Sequence, residues 1–242
     1  MQTSFTKNFP KNTQEISALI GPVSNPEALE YLNFHLARYL YLLEIVLKHI
    51  PAKTNRILDI GTGFEVELMR DLFKLPIDTM GFYRAGWPVI AGENFYELDL
   101  NDPNAFKNIK AKYSLVIMAE VIEHLYTAPE IVLPKIINLI DTGGILIIQT
   151  PNAVSFPKRL KMLVGIHPFE KIRLNKFNPG HFREYTLKEL LKICQSCGLE
   201  IIFSDRKNYF RPKNKLLSFL YSLEFLWPPS LRTGMTLVLR KI

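Results

Sequence analysis

ILDIGTGFEVELM (residues 57–69) joins an apolar run, a glycine turn and the opening of a helix. The run Arg56–Ile60 suits a strand buried on both faces, and Glu65–Phe73 carries helical spacing. Gly61 and Gly63 free the backbone to come close to a ligand at the strand's end. A dinucleotide turn calls for a third glycine where Val66 stands, which argues against an NAD-dependent oxidoreductase. No Lys-Ser/Thr pair follows, so a P-loop is excluded. The turn suits a ligand with no phosphate to cradle.

Around this stretch, apolar runs alternate with helical spacing. Strands are expected at Ile77–Tyr83, Phe95–Leu98, Tyr113–Ala119, Ile145–Thr150, Glu200–Ser204 and Met235–Arg240, and a helix at Pro129–Ile140 that stops near Gly143-Gly144. Alternation of this kind builds a parallel sheet with helices on both faces, an α/β fold. Upstream, Asn25-Pro26 opens a long amphipathic helix that Pro51 ends, within an N-terminal helical extension, residues 1–55, of a main domain at 56–242. Residues 151–182 break into Pro, Gly, His and basic residues and read as a lid. Thr186 and Glu189 then form a capping box, and Gly198 ends that helix.

Composition bounds the partners. The 242 residues are 48% hydrophobic, enough for a substantial core. Net charge is +7, and 14 Lys and Arg against 5 Asp and Glu fall between Ala153 and Lys215, leaving −2 for the rest. That local excess favours an anionic partner: a phosphorylated substrate, a nucleic acid or a membrane surface. The segment 214–229, within an apolar cap at 205–233, is rich in Leu, Phe and Trp and suits either a covering helix or peripheral membrane contact. No run reaches the roughly 18–20 apolar residues of a membrane span, and no signal peptide is read. The Cys194/Cys197 pair falls in a helix and suits packing rather than a disulfide framework or zinc. The expectation is a reduced, cytoplasmic protein, with contact at the inner face of the membrane as a variant.

Asp59-Ile-Gly61-Thr-Gly63 resembles the first motif of class I S-adenosylmethionine-dependent methyltransferases. The likeness continues through Asp99, KYSLVIMAEVIEHL (112–125), GGILIIQTPN (143–152) and GHFREYTLKELLKICQSCGLEI (180–201), in order over about 150 residues. It is similar to the branch of ubiquinone-biosynthesis and small-molecule O-methyltransferases. The resemblance implies a Rossmann-like seven-stranded sheet and S-adenosylmethionine as cofactor. It places Asp59, Gly61, Gly63, Asp99, Leu100 and Glu120 along that cofactor. Glu65 replaces a frequent third glycine, read as tolerated because it begins a helix. The acid that normally takes the ribose hydroxyls is missing, since Gly81-Phe-Tyr83 stands there. Asp78, Glu93 or Tyr83 are the replacements on offer.

Methyl transfer needs alignment and removal of the acceptor's proton. Glu120, Glu123 and His124, on one face of a presumed helix, join His181 beyond the lid to give two carboxylates and two imidazoles. The quartet resembles the divalent-metal site of ubiquinone O-methyltransferases and small-RNA 2′-O-methyltransferases, implying Mg²⁺ or Mn²⁺. The metal-free alternative gives His124 or His181 alone the role of base, with Glu123 in local pairing. His167 reads as an exposed lid residue. Thr150-Pro-Asn152 lacks the pattern of amine methyltransferases, which favours a hydroxyl on a small, sugar or lipid-linked molecule. An RNA 2′-O-methyltransferase and a non-catalytic relative stay open, the second because of Tyr83.

Overall fold

The computed structural model describes Glu15, 26–82, 90–175, 179–210, Leu223 and 227–242, with the side chains of 26–28 excepted. Tyr83 and most of the apolar cap segment lie outside the described residues. In chain order the elements are α1 (Pro26–His49), β1 (Ile57–Ile60), α2 (Phe64–Phe73), β2 (Ile77–Gly81), β3 (Phe95–Glu97) and β4 (Tyr113–Ala119). There follow α3 (Pro129–Ile137), β5 (Ile140–Pro151), α4 (Phe156–Leu163), α5 (Leu187–Ser196), β6 (Leu199–Lys207) and β7 (Gly234–Lys241).

The sheet has seven strands in the order β3-β2-β1-β4-β5-β7-β6. β1 to β5 run parallel, and β7 lies antiparallel between β5 and β6. The central strands are apolar without alternation (YSLVIMA in β4, ILII in β5) because helices cover both faces. One core layer packs Leu133, Ile136, Leu190 and Cys194 against Val116, Met118 and Leu146; the other packs Leu42, Leu43, Val46 and Met69 against Ile117, Ile147 and Val238. α1 is thus part of the same core as α2 and the sheet. Cys194 is buried in that packing.

Several elements differ from the sequence reading, two of them with a bearing on the site. β5 starts at Ile140, inside the expected helix, because Gly143 (φ +77°) serves a bulge between the Tyr113–Ile140 and Leu115–Ile145 pairs rather than a helix stop. The lid contains a helix, α4, in a stretch read as irregular. Its two roots are joined by a bridge between Asn152 and Tyr185 and by the Ala153 amide donating to the Tyr185 carbonyl at 3.0 Å. α5 starts with the expected capping box: Glu189 N donates to Thr186 Oγ1 at 3.2 Å, and Thr186 N to Glu189 Oε2 at 3.4 Å.

Asp78 and Glu93 do not serve a ribose. Asp78 is the second residue of β2, away from its exit, and its carboxylate takes an ion pair from Arg56 and hydrogen bonds from Asn94 N (2.7 Å) and Tyr113 OH (2.7 Å). Glu93 is held by Arg70 and by the Ile77 amide. Burial alone would raise the Asp78 carboxyl; the bonds from Asn94, Tyr113 and Arg56 outweigh it and hold it below the usual range. Its stabilisation is therefore full at neutral pH and lost as pH falls through the depressed value. Asp78→Asn would leave Arg56 and Tyr113 short of an acceptor. We expect a loss of about 3 kcal/mol, read by circular dichroism as a melting point lower by roughly 6–12 °C. An unchanged melting point would show the network to be incidental.

Candidate active site

The strand exits of β1, β2 and β4 open into a crevice with two chambers that share Gly61, Glu120 and His124. The turn after β1 makes this possible. Gly61 sits at φ +102°, and a Cβ there would meet Val121 Cγ2 at 2.3 Å, so backbone lies where a side chain would block the passage.

The first chamber is lined by Gly81, Phe82, Asp99, Leu100, Tyr126 and Phe182. Asp99 Oδ1 accepts from the Asn101 amide at 2.9 Å, and Oδ2 accepts from Tyr126 OH at 3.1 Å. Tyr126 in turn meets Phe182 edge-on at 5.6 Å. A carboxylate between aromatic walls suits a flat, amino-bearing ring.

The second chamber lies below α1 and the lid and holds Arg38, Glu65, Lys158, His181 and Glu184. Arg38 is 2% exposed; its guanidinium lies 4.4 Å from the Tyr39 ring centroid, and Nη2 is 3.7 Å from Glu65 Oε2. Burial opposes its charge, and Glu65, Tyr39 and Glu120 together outweigh that and raise its pKa. Asp59 is fully buried beneath the turn, and burial, reinforced by Glu65, pushes its carboxyl well up. Glu120 leaves β4 with φ +58°, and its carboxyl is pushed up to about 7, first by burial.

Glu123, His124 and His181 come together: one ligand atom from each lies within 4.8 Å of the others. The helix expected here is a single 3-10 turn, Ile122–His124, so Glu120 does not share a face with the other two and stands outside this cluster. Glu123 Oε2 accepts from Thr150 Oγ1 at 2.9 Å, while Oε1 is 4.0 Å from His181 Nε2, beyond hydrogen bonding. Burial, then Glu120, raises the Glu123 carboxyl well above its usual range. His181 Nδ1 pairs with Glu184 Oε1 at 2.9 Å and His124 Nδ1 with the Gly180 carbonyl at 2.8 Å. Burial, then His124, lowers His181 to about 4. Lys158 bonds to Glu184, and burial lowers it to about 8. The Phe182 and Arg183 amides both donate to the Glu123 carbonyl, at 2.9 and 3.2 Å, tying the lid's exit to the turn at 122–124.

Of the residues read from sequence, Gly61, Glu120 and His124 line both chambers, Asp99 and Leu100 the first, and Gly63 and His181 the second. Arg38, Glu65, Lys158 and Glu184 were not singled out for the site. A signal existed for Arg38: it stands four residues before Leu42 and seven before Ile45, on the apolar stripe of α1. His167 lies in the lid with its Nδ1 on the Phe169 carbonyl, exposed as expected.

Comparisons with known proteins agree with this fold. A SAM-dependent methyltransferase of Archaeoglobus fulgidus superposes with TM-score 0.55 at 14% identity, over 90% of this chain and 100% of that one. One of Mesorhizobium loti gives 0.54 at 13%, over 85% and 98%. The architecture is that of class I S-adenosylmethionine-dependent methyltransferases. The Methyltransferase domain family matches residues 31–203, and the chain belongs to that family. A relative in Mycolicibacterium smegmatis, named a probable S-adenosylmethionine-dependent methyltransferase, is 26% identical over 149 residues, 58% of this chain and 49% of that protein. The chain thus spans about half the length of the curated relative it matches.

Proposed function

We propose that the protein transfers a methyl group from S-adenosylmethionine to a hydroxyl of an anionic small molecule or lipid-linked sugar. One observation carries this reading. Two adjoining chambers that share Gly61, Glu120 and His124 run from Asp99, which suits the adenine amino group, to His181, which suits an acceptor. The donor set fits the cofactor, since buried Arg38 has two nitrogens, Nε and Nη1, without a hydrogen-bond partner. When bound, the cofactor supplies an electrophilic methyl group on a good leaving group.

The chain's own residues do the rest. His181, held through Nδ1 by Glu184, is neutral at physiological pH, so its Nε2 can take the acceptor's proton. Lys158, Lys161 and Arg173 line the acceptor chamber and offer cations to an anionic group of the substrate, Lys158 beside Glu184 and Arg173 beside Glu170. Isothermal titration with S-adenosylmethionine tests the reading. Micromolar binding is expected; no heat at millimolar ligand would overturn it.

A second reading adds a divalent cation on Glu123, His124 and His181. It is supported by the convergence of one carboxylate oxygen and two imidazole nitrogens, with His181 anchored from outside by Glu184 as a ligating histidine usually is. Mg²⁺ or Mn²⁺ there would lower the acceptor hydroxyl's pKa. In this reading EDTA abolishes methyl transfer and Mn²⁺ restores it. Full activity after EDTA dialysis would leave the metal-free base.

A further inference from the structure

Glu65, the second residue of α2, points back over the turn instead of out to solvent. It is 3% exposed, and a Cβ built on Gly63 would meet its Oε2 at 2.4 Å and Oε1 at 2.7 Å. Its carboxylate therefore covers the glycine backbone at the floor of the second chamber. Opposite lies Arg38, also buried, 3.7 Å away at Nη2. That separation is an ion pair without a hydrogen bond. Glu65 Oε2 and Arg38 Nε and Nη1 all lack hydrogen-bond partners.

Buried charges with unspent hydrogen-bonding capacity are unfavourable unless something completes them. What would complete this pair is specific. Arg38 needs an acceptor and Glu65 a donor, a short distance apart. An α-amino acid presents both on one carbon.

We propose that Glu65 receives the α-ammonium of the cofactor's methionyl end while Arg38 takes its carboxylate. Glu65 then makes recognition of the amino-acid end, rather than of the nucleoside alone, the main source of cofactor affinity. The inference rests on the methyltransferase reading and goes further, in giving a binding role to the residue that replaces a glycine.

Two ligands separate the claims. S-Adenosylhomocysteine carries the amino-acid end; 5′-methylthioadenosine keeps the nucleoside and thioether without it. By isothermal titration, wild-type protein is expected to bind the first about 100-fold tighter than the second. Glu65→Gln should weaken S-adenosylhomocysteine about tenfold or more, as befits loss of a charge-assisted bond, and leave 5′-methylthioadenosine unchanged. Retained binding of the second ligand shows that the crevice is folded. Unchanged affinity for S-adenosylhomocysteine overturns the inference, as does an equal loss for both ligands. A gain in affinity for Glu65→Gly also overturns it, because Glu65 would then obstruct the site. Wild-type protein that binds neither ligand defeats the methyltransferase reading itself.

Discussion

Arg38→Gln is expected to weaken S-adenosylmethionine binding about 100-fold while the protein stays folded. Arg38 projects from α1 into the second chamber with two unpartnered nitrogens, close to the carboxyl groups of Glu65 and Glu120. Removing one partner of a buried charge pair across an interface costs about 2–5 kcal/mol, and each 1.4 kcal/mol is roughly a factor of ten. The neutral amide also leaves Glu65 without its nearest cation. Titration calorimetry gives the affinity directly, and circular dichroism confirms the fold. An affinity within threefold of wild type would mean that the cofactor's carboxylate is held elsewhere.

His181→Ala is the second large effect. A positioned general base typically contributes 10²–10⁴ in rate, and we expect kcat to fall by about 10²–10³ with the cofactor's KM nearly unchanged. Glu184→Gln should cost roughly tenfold, because Glu184 acts through the ring: it bonds Nδ1 at 2.9 Å and so orients Nε2 toward Glu123. Added imidazole is expected to restore part of the rate to the alanine variant and none to the glutamine variant. If kcat of His181→Ala stays within threefold, His181 is a wall of the chamber and not its base.

The fold was readable from its backbone demands. Strands without alternation and the turn at Gly61 announced a parallel sheet with its ligand crevice at the strand exits, because buried strands must be apolar throughout. The capping box at Thr186 was readable because it involves residues three apart. The acidic replacement at position 65 was visible, but its direction was not. Whether Glu65 faces solvent or the crevice depends on α1, whose Arg38 lies 27 positions earlier and meets it only in the folded chain. Glu120, Glu123 and His124 looked helical by spacing; the left-handed backbone at Glu120 breaks that pattern, and no local signal gives it away. Ribose recognition was sought at Asp78 and Glu93, whose charge fitted but whose carboxylates are spent on Arg56, Tyr113 and Arg70.

One carbonyl deserves a last consequence. Because Glu123 O accepts from both Phe182 and Arg183, and Tyr185 is zipped to Asn152 and Ala153, the lid is not a detachable module. Swapping in a relative's loop to change acceptor choice would shift the proton-handling turn along with it. The smallest transferable unit runs from residue 152 to residue 185 and must travel with the turn at 122–124. On the proposed reading, acceptor choice and proton handling would therefore change together.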